Sequence, residues 1–148
     1  MKKQKKTKVV KRKARAKVAR SSTKILTDKA PAPIGPYSQA ILVDGKFIYT
    51  AGQIAIDPAT SAIVSGDIKD QTRQAIKNVE QILLAGGSSL NSVFKTTVFL
   101  KDINEFGAMN EVYSEFFSGT APARSTVEVA RLPRDARVEI EAVALVER

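Results

Sequence analysis

The residues with the most chemistry to offer lie in APARSTVEVARLPRDARVEIEAVAL, residues 121–145, where Arg124, Glu128, Glu139 and Glu141 alternate with apolar side chains. The stretch predicts two short strands. Successive side chains of a strand point to opposite faces, so Arg124, Thr126 and Glu128 share one face and Val127 and Val129 the other. In the second strand Glu139, Glu141, Val143 and Leu145 oppose Val138, Ile140, Ala142 and Ala144. Paired as a hairpin across Leu132-Pro133-Arg134-Asp135 with their apolar faces together, the strands would gather the arginine and the glutamates on one side. Such charges could form a site, but a wet sheet surface laced with weak ion pairs is the commoner origin of a face like this. These residues alone leave both readings open.

The residue types that are missing narrow the chemistry. The chain has no His and no Cys, which removes Ser-His-Asp and Cys-His nucleophiles, the usual zinc sites, and imidazole as a proton shuttle. Catalysis would fall to Arg, Glu, Asp, Lys, Tyr, Ser or Thr. Neither GxGxxG nor GxxxxGK[ST] follows a strand, so no dinucleotide or Walker-type phosphate site is indicated.

The elements that must hold these residues are legible from pattern. With 148 residues, 43% of them hydrophobic, the chain is long enough for one domain with a core. Residues 40–43 and 47–51 flank Asp44-Gly45, a strong hairpin signal, and a further strand is predicted over 53–56, stopping at Asp57-Pro58. Asp67 is placed to cap a helix whose apolar residues, from Ile68 to Leu83, recur at helical spacing until Gly86-Gly87. Residues 93–100 form a β-branched strand. A second helix runs from Asp102, with Phe106, Met109, Asn110, Tyr113, Phe116 and Phe117 on one stripe. Asn110 is polar on an apolar stripe, so it needs hydrogen-bond partners or a polar cavity. The order β-β-β-α-β-α-β-β gives an α+β sheet with both helices on one face. The other face keeps Glu139, Val143 and Leu145 uncovered, which suggests a subunit interface with a site inside it.

Charge divides the chain unevenly. Residues 1–24 hold 12 of the 24 Lys and Arg and no acidic residue, so the rest carries 12 minus 15, or net −3. Residues 1–24 are expected to be a disordered basic tail and residues 25–148 the folded domain. The KRKARAK run suits a nuclear address or a nucleic-acid partner, and a solubilising tail without a partner explains it as well. With no spanning segment, no secretory h-region and no Cys, the expectation is a cytoplasmic protein away from membranes.

The stretches APAPIGPYSQAI (30–41), AGQI (51–54), KTTVFLKDINEF (95–106) and APARSTVEVARLPRDARVEIEA (121–142) resemble the reactive intermediate deaminase family (RidA, formerly YjgF), in the same order and over essentially all of 25–148. The resemblance implies a chorismate-mutase-like α+β domain assembled as a homotrimer, with sites in the clefts between subunits. It implies hydrolysis of 2-imino or 2-enamino acids, such as 2-aminoacrylate, 2-iminopropanoate and 2-iminobutanoate, to 2-oxo acids and ammonia, with no metal or organic cofactor. Carried over by position, it assigns the substrate carboxylate to Arg124 and the attacking water and its proton to Glu139. Tyr37 and Asn110 would line the pocket, and Gly52 and Thr126 would offer backbone groups. Glu128 and Glu141 receive no role. The chain departs from the common pattern at Thr126, where many members have Cys, at Ala51, where Ser or Thr is usual, and at Ser61, where a turn glycine is common. Two alternatives belong to other classes: an RNA-binding or endoribonuclease activity, and a holdase or carboxylate-binding regulatory module.

Overall fold

The computed structural model describes residues 21–119 and 121–147. Residues 1–20 of the basic tail expected over 1–24 lie outside the described residues, and with them the expectations of disorder and of a nucleic-acid or nuclear role.

Six strands form one mixed sheet. β1 (Ser22–Ile25), β2 (Ala40–Val43) and β3 (Phe47–Thr50) form an antiparallel meander, α1 (Ile68–Ala85) crosses to β4 (Val93–Leu100), and α2 (Phe106–Phe116) leads to β5 (Ala123–Glu128) before β6 (Val138–Leu145). The spatial order is β1-β2-β3-β6-β4-β5. The β2–β3 turn is made by Asp44 and Gly45 at φ 51° and 63°, the paired left-handed residues that match a two-residue hairpin to strand twist. Asp67 caps α1, accepting from the Lys69 and Asp70 amides, while Asp70 bonds back to the cap. Both helices bury their apolar stripes on one face of the sheet. Ile76, Val79, Ile82 and Leu83 of α1 and Met109 and Tyr113 of α2 pack with Ile48, Val98, Ile140 and Ala144 into a single core. Among the described residues no helix is long and apolar enough to cross a membrane.

The expected hairpin of the last two strands does not form. β5 pairs in parallel with β4, and β6 is inserted antiparallel between β3 and β4. The physical reason lies in burial: Val138, Ile140, Ala142 and Ala144 are essentially buried and demand a central strand, whereas the short, polar β5 suits an edge. β5 is also joined to β4 through α2, and a helical crossover returns a strand in parallel.

Three smaller expectations change. Residues 53–56 form no ladder, only isolated bridges of Gln53 with Ile140 and Ile56 with Ile63. The second helix opens with a short 3-10 turn, Ile103–Glu105, which Asp102 caps, before α2 begins at Phe106. The sheet also starts earlier than charge suggested. Ser22, Thr23 and Lys24 lie in β1, paired to Val43, Leu42 and Ile41.

Candidate active site

A cleft of about 240 Å³ opens beside β6, lined by Pro31, Ala32, Ile34, Tyr37, the 51–54 segment, Ile56, Pro133 and Glu139. Its walls are loops held by buried amides. Gln39, 1% exposed, accepts from the Thr27 amide and donates to the carbonyls of Thr27, Ala30 and Pro31, pinning the loop that supplies Pro31 and Ala32. Asn78 of α1 donates to the carbonyls of Ile54 and Ile56 at 3.1 and 2.8 Å. Gln53 exchanges backbone hydrogen bonds with Ile140, at 2.9 and 3.0 Å, which sets residue 52 beside the start of β6.

Within that frame Glu139, Gly52 and Tyr37 come together as lining residues. The Glu139 side chain lies across the α-carbon of Gly52, where a β-carbon would collide with its carboxylate. Among the described residues the Gly52 amide takes no part in the backbone hydrogen bonds of the surrounding loops, so it is free to bond a ligand. The Tyr37 hydroxyl accepts from the Ile34 amide at 3.2 Å, leaving its own proton to donate. Glu139 is the one charged residue of the lining. Burial pushes its carboxyl above the ordinary glutamate value, and Glu141, two residues along on the same face, adds to the shift.

Arg124, Thr126 and Asn110 lie elsewhere. β5 is in register with β4 such that Arg124 faces Thr96 and Thr126 faces Val98, and those two β4 side chains are buried beneath the helices. Paired residues project to the same face, so Arg124, Thr126 and Glu128 point to the helix side, and Val127, expected in the core, is 45% exposed. Glu139 pairs with Phe99, whose parity is the opposite one. Arg124 and Glu139 therefore occupy opposite faces, two strands or about 10 Å apart across the sheet, and the single charged face expected from the sequence does not exist in one chain.

The Arg124 guanidinium instead stacks over α2, 4.5 Å from the Tyr113 ring centre and 5.5 Å from that of Phe106. Tyr113 is fixed by a 2.7 Å hydrogen bond between its hydroxyl and Thr96. Asn110 lies between Phe106 and Tyr113 on the same helical stripe, half-buried. The Thr126 hydroxyl is buried with no hydrogen-bond partner among the described residues. Glu128 has a structural task, accepting from the Ile103 amide at 2.7 Å. The sequence reading missed Gln39, Gln53, Asn78 and Pro133. Gln39 and Gln53 carried a usable signal, as amides inside the otherwise apolar stretches around 37–41 and 51–56.

Comparison with known proteins decides the family. The family model described as Endoribonuclease L-PSP matches residues 27–146. The chain belongs to this family, the RidA (YjgF) family. A RutC family protein of Pyrococcus abyssi is 61% identical over 120 residues, 81% of this chain and 94% of that protein. The 2-iminobutanoate/2-iminopropanoate deaminase of Mus musculus is 51% identical over 121 residues, 82% of this chain and 89% of that protein. Among solved structures, E. coli TdcF with bound serine superposes with a TM-score of 0.80 at 44% identity, covering 84% of this chain and 99% of that one. The expected α+β architecture is that of these RidA relatives.

Proposed function

We propose that this RidA family member hydrolyses 2-imino and 2-enamino acids to 2-oxo acids and ammonia, in sites each completed by two copies of the chain within a homotrimer. The observation that carries the reading is the split itself. A half-buried glutamate with a raised proton affinity stands in an apolar cleft with no cation among its lining residues, while a stacked arginine waits at the sheet edge on the other face. Neither half can process a small amino-acid-derived imine alone. Together they supply a carboxylate clamp and a proton carrier.

In this scheme Arg124 of one copy binds the substrate carboxylate through its planar fork, with Asn110 and the backbone at Thr126 beside it. Glu139 of the neighbouring copy accepts a proton from water as the water oxygen bonds to C2. The C=N electron pair moves to nitrogen, which takes that proton and gives the carbinolamine. Glu139 then removes the hydroxyl proton and returns it to nitrogen. The C–N bond breaks, releasing ammonia and the 2-oxo acid. Tyr37 and the Gly52 amide are placed to hold the substrate against Glu139. A glutamate whose proton affinity is raised by burial is suited to both jobs.

The deaminase name of the mammalian relative and the bound amino acid of TdcF support a small carboxylate substrate. The test is to generate 2-iminobutanoate in situ and follow 2-oxobutanoate release with and without the purified protein, with light scattering for the assembly. Acceleration by a trimer is expected. A monomer with full activity would exclude the shared site, and a trimer without activity would exclude the deaminase.

A further inference from the structure

Three non-glycine residues in the described chain adopt the left-handed conformation outside the β2–β3 turn: Ser61 at φ 59°, Arg134 at 53° and Asp135 at 56°. They are joined to one another. The Arg134 guanidinium donates to the Ser61 carbonyl at 2.7 Å, across 73 residues of sequence. Asp135 is held in turn by Lys101 at 2.8 Å. Strained backbone of this kind persists only where its surroundings over-determine it, and such residues cluster at ligand sites.

The two segments so clasped both border the cleft. Residues 56–63 form a tight loop closed by the Ile56–Ile63 bridge and by hydrogen bonds of the Asp57 amide to the Ala62 carbonyl and the Ser61 amide to the Asp57 carbonyl. The other segment is the Pro133–Asp135 turn, whose Pro133 lines the cleft together with Ile54 and Ile56. Beneath the clasp Ile54, Ile56 and Ala136 are buried with Ile63 and Leu132 against them, a small apolar cluster separate from the main core. Gln53 and Asn78, the nearby amides, spend their donors on backbone carbonyls. The wall side chains at this end of the cleft are therefore aliphatic, and the side-chain amides beside them are spent on backbone carbonyls.

We infer that Arg134 is a specificity-determining positioning residue: through Ser61 it holds Pro133 and Ile56 together as the wall against which the aliphatic side chain of the substrate packs. This rests on the deaminase reading above. The carboxylate must go to Arg124 and C2 must face Glu139, so the substituent on C2 is the part left to enter the aliphatic end. Arg134 touches no reacting atom and acts only on how well an extra methylene is removed from water.

The readout is a ratio within each variant, kcat/KM for 2-iminobutanoate over that for 2-iminopropanoate, the imines being generated in situ by oxidation of 2-aminobutanoate and alanine. A methylene packed on a fixed apolar wall contributes about fourfold to that ratio in the wild type. Arg134→Ala and Arg134→Gly should bring it close to one, mainly through KM, with kcat for 2-iminopropanoate little changed. Glycine accepts φ 53° freely, so Arg134→Gly separates loss of the clasp from backbone strain and secures a folded variant. Arg134→Lys keeps a donor for the Ser61 carbonyl and should keep the ratio. A purely structural arginine would lower Tm and leave the ratio alone. An active wild type whose ratio survives in both Arg134→Ala and Arg134→Gly overturns this inference only. A wild type inactive on both imines overturns the deaminase reading and this inference with it.

Discussion

The Glu139 carboxylate rests on the α-carbon of Gly52, in space that any side chain at residue 52 would take. Glycine is needed there for its lack of bulk, and that sets how far Glu139 reaches over the cleft floor. Gly52→Ala should push the carboxylate aside while leaving the sheet intact, since residue 52 lies outside the ladders. The expected outcome is a fall in kcat on the order of 10- to 100-fold with Tm close to wild type, because small misplacements of a reacting group are that costly. Steady-state imine hydrolysis with a thermal melt checks it.

Arg124 contributes shape as well as charge. Arg124→Lys keeps the charge but loses the fork and the flat stack over Tyr113. We expect a loss of at least roughly tenfold in kcat/KM, or about 1.4 kcal/mol, with KM raised and folding and assembly retained. Glu139→Gln should instead act mainly on kcat, because it keeps hydrogen bonding and loses the proton acceptor.

The pH profile should carry the signature of Glu139. Its carboxyl is shifted upward by burial first and by Glu141 second. Acting as a base it must be ionised, so the acid limb of kcat/KM should lie above the ordinary glutamate range. Glu141→Gln removes a negative neighbour, makes ionisation easier, and should move that limb to lower pH. A profile that Glu141→Gln leaves in place would show that the limb belongs to another group.

Much of the fold was legible because its signals are local. The Asp67 cap, the apolar period of α1 and the Asp44-Gly45 turn each depend on residues close in sequence. What escaped was strand partnership. Parity places Arg124 opposite Val127 within β5, but it says nothing about which strand β5 joins, and the wrong partner inverts the face. A strand, a helix and another strand, from Val93 to Glu128, did carry the signal for a parallel pair. β1 was lost for another reason. Ser22, Thr23 and Lys24 resemble the basic run before them and become a strand only by pairing with β2. The site followed the same division. Tyr37, Gly52 and Glu139 line one cleft, while Arg124, Thr126 and Asn110 lie across the sheet, because the strand partner that sets the facing of β5 is not encoded in β5 itself.

Because Arg124 and Glu139 lie on opposite faces of one chain, two inactive variants should repair each other. Arg124→Ala retains a native Glu139 and Glu139→Gln retains a native Arg124, so a site formed between one copy of each has both groups. In a cyclic assembly made at random from equal amounts, about a quarter of the sites would be native. The measurement is imine hydrolysis by co-expressed mixed trimers, with both chains verified in the isolated assembly, against each variant alone. We expect near-zero rates for the separate variants, about a quarter of the wild-type rate for the unsorted mixture, and about a third for isolated mixed trimers, each of which holds one native site in three. Verified mixed trimers no more active than the separate variants would contradict a site shared between chains.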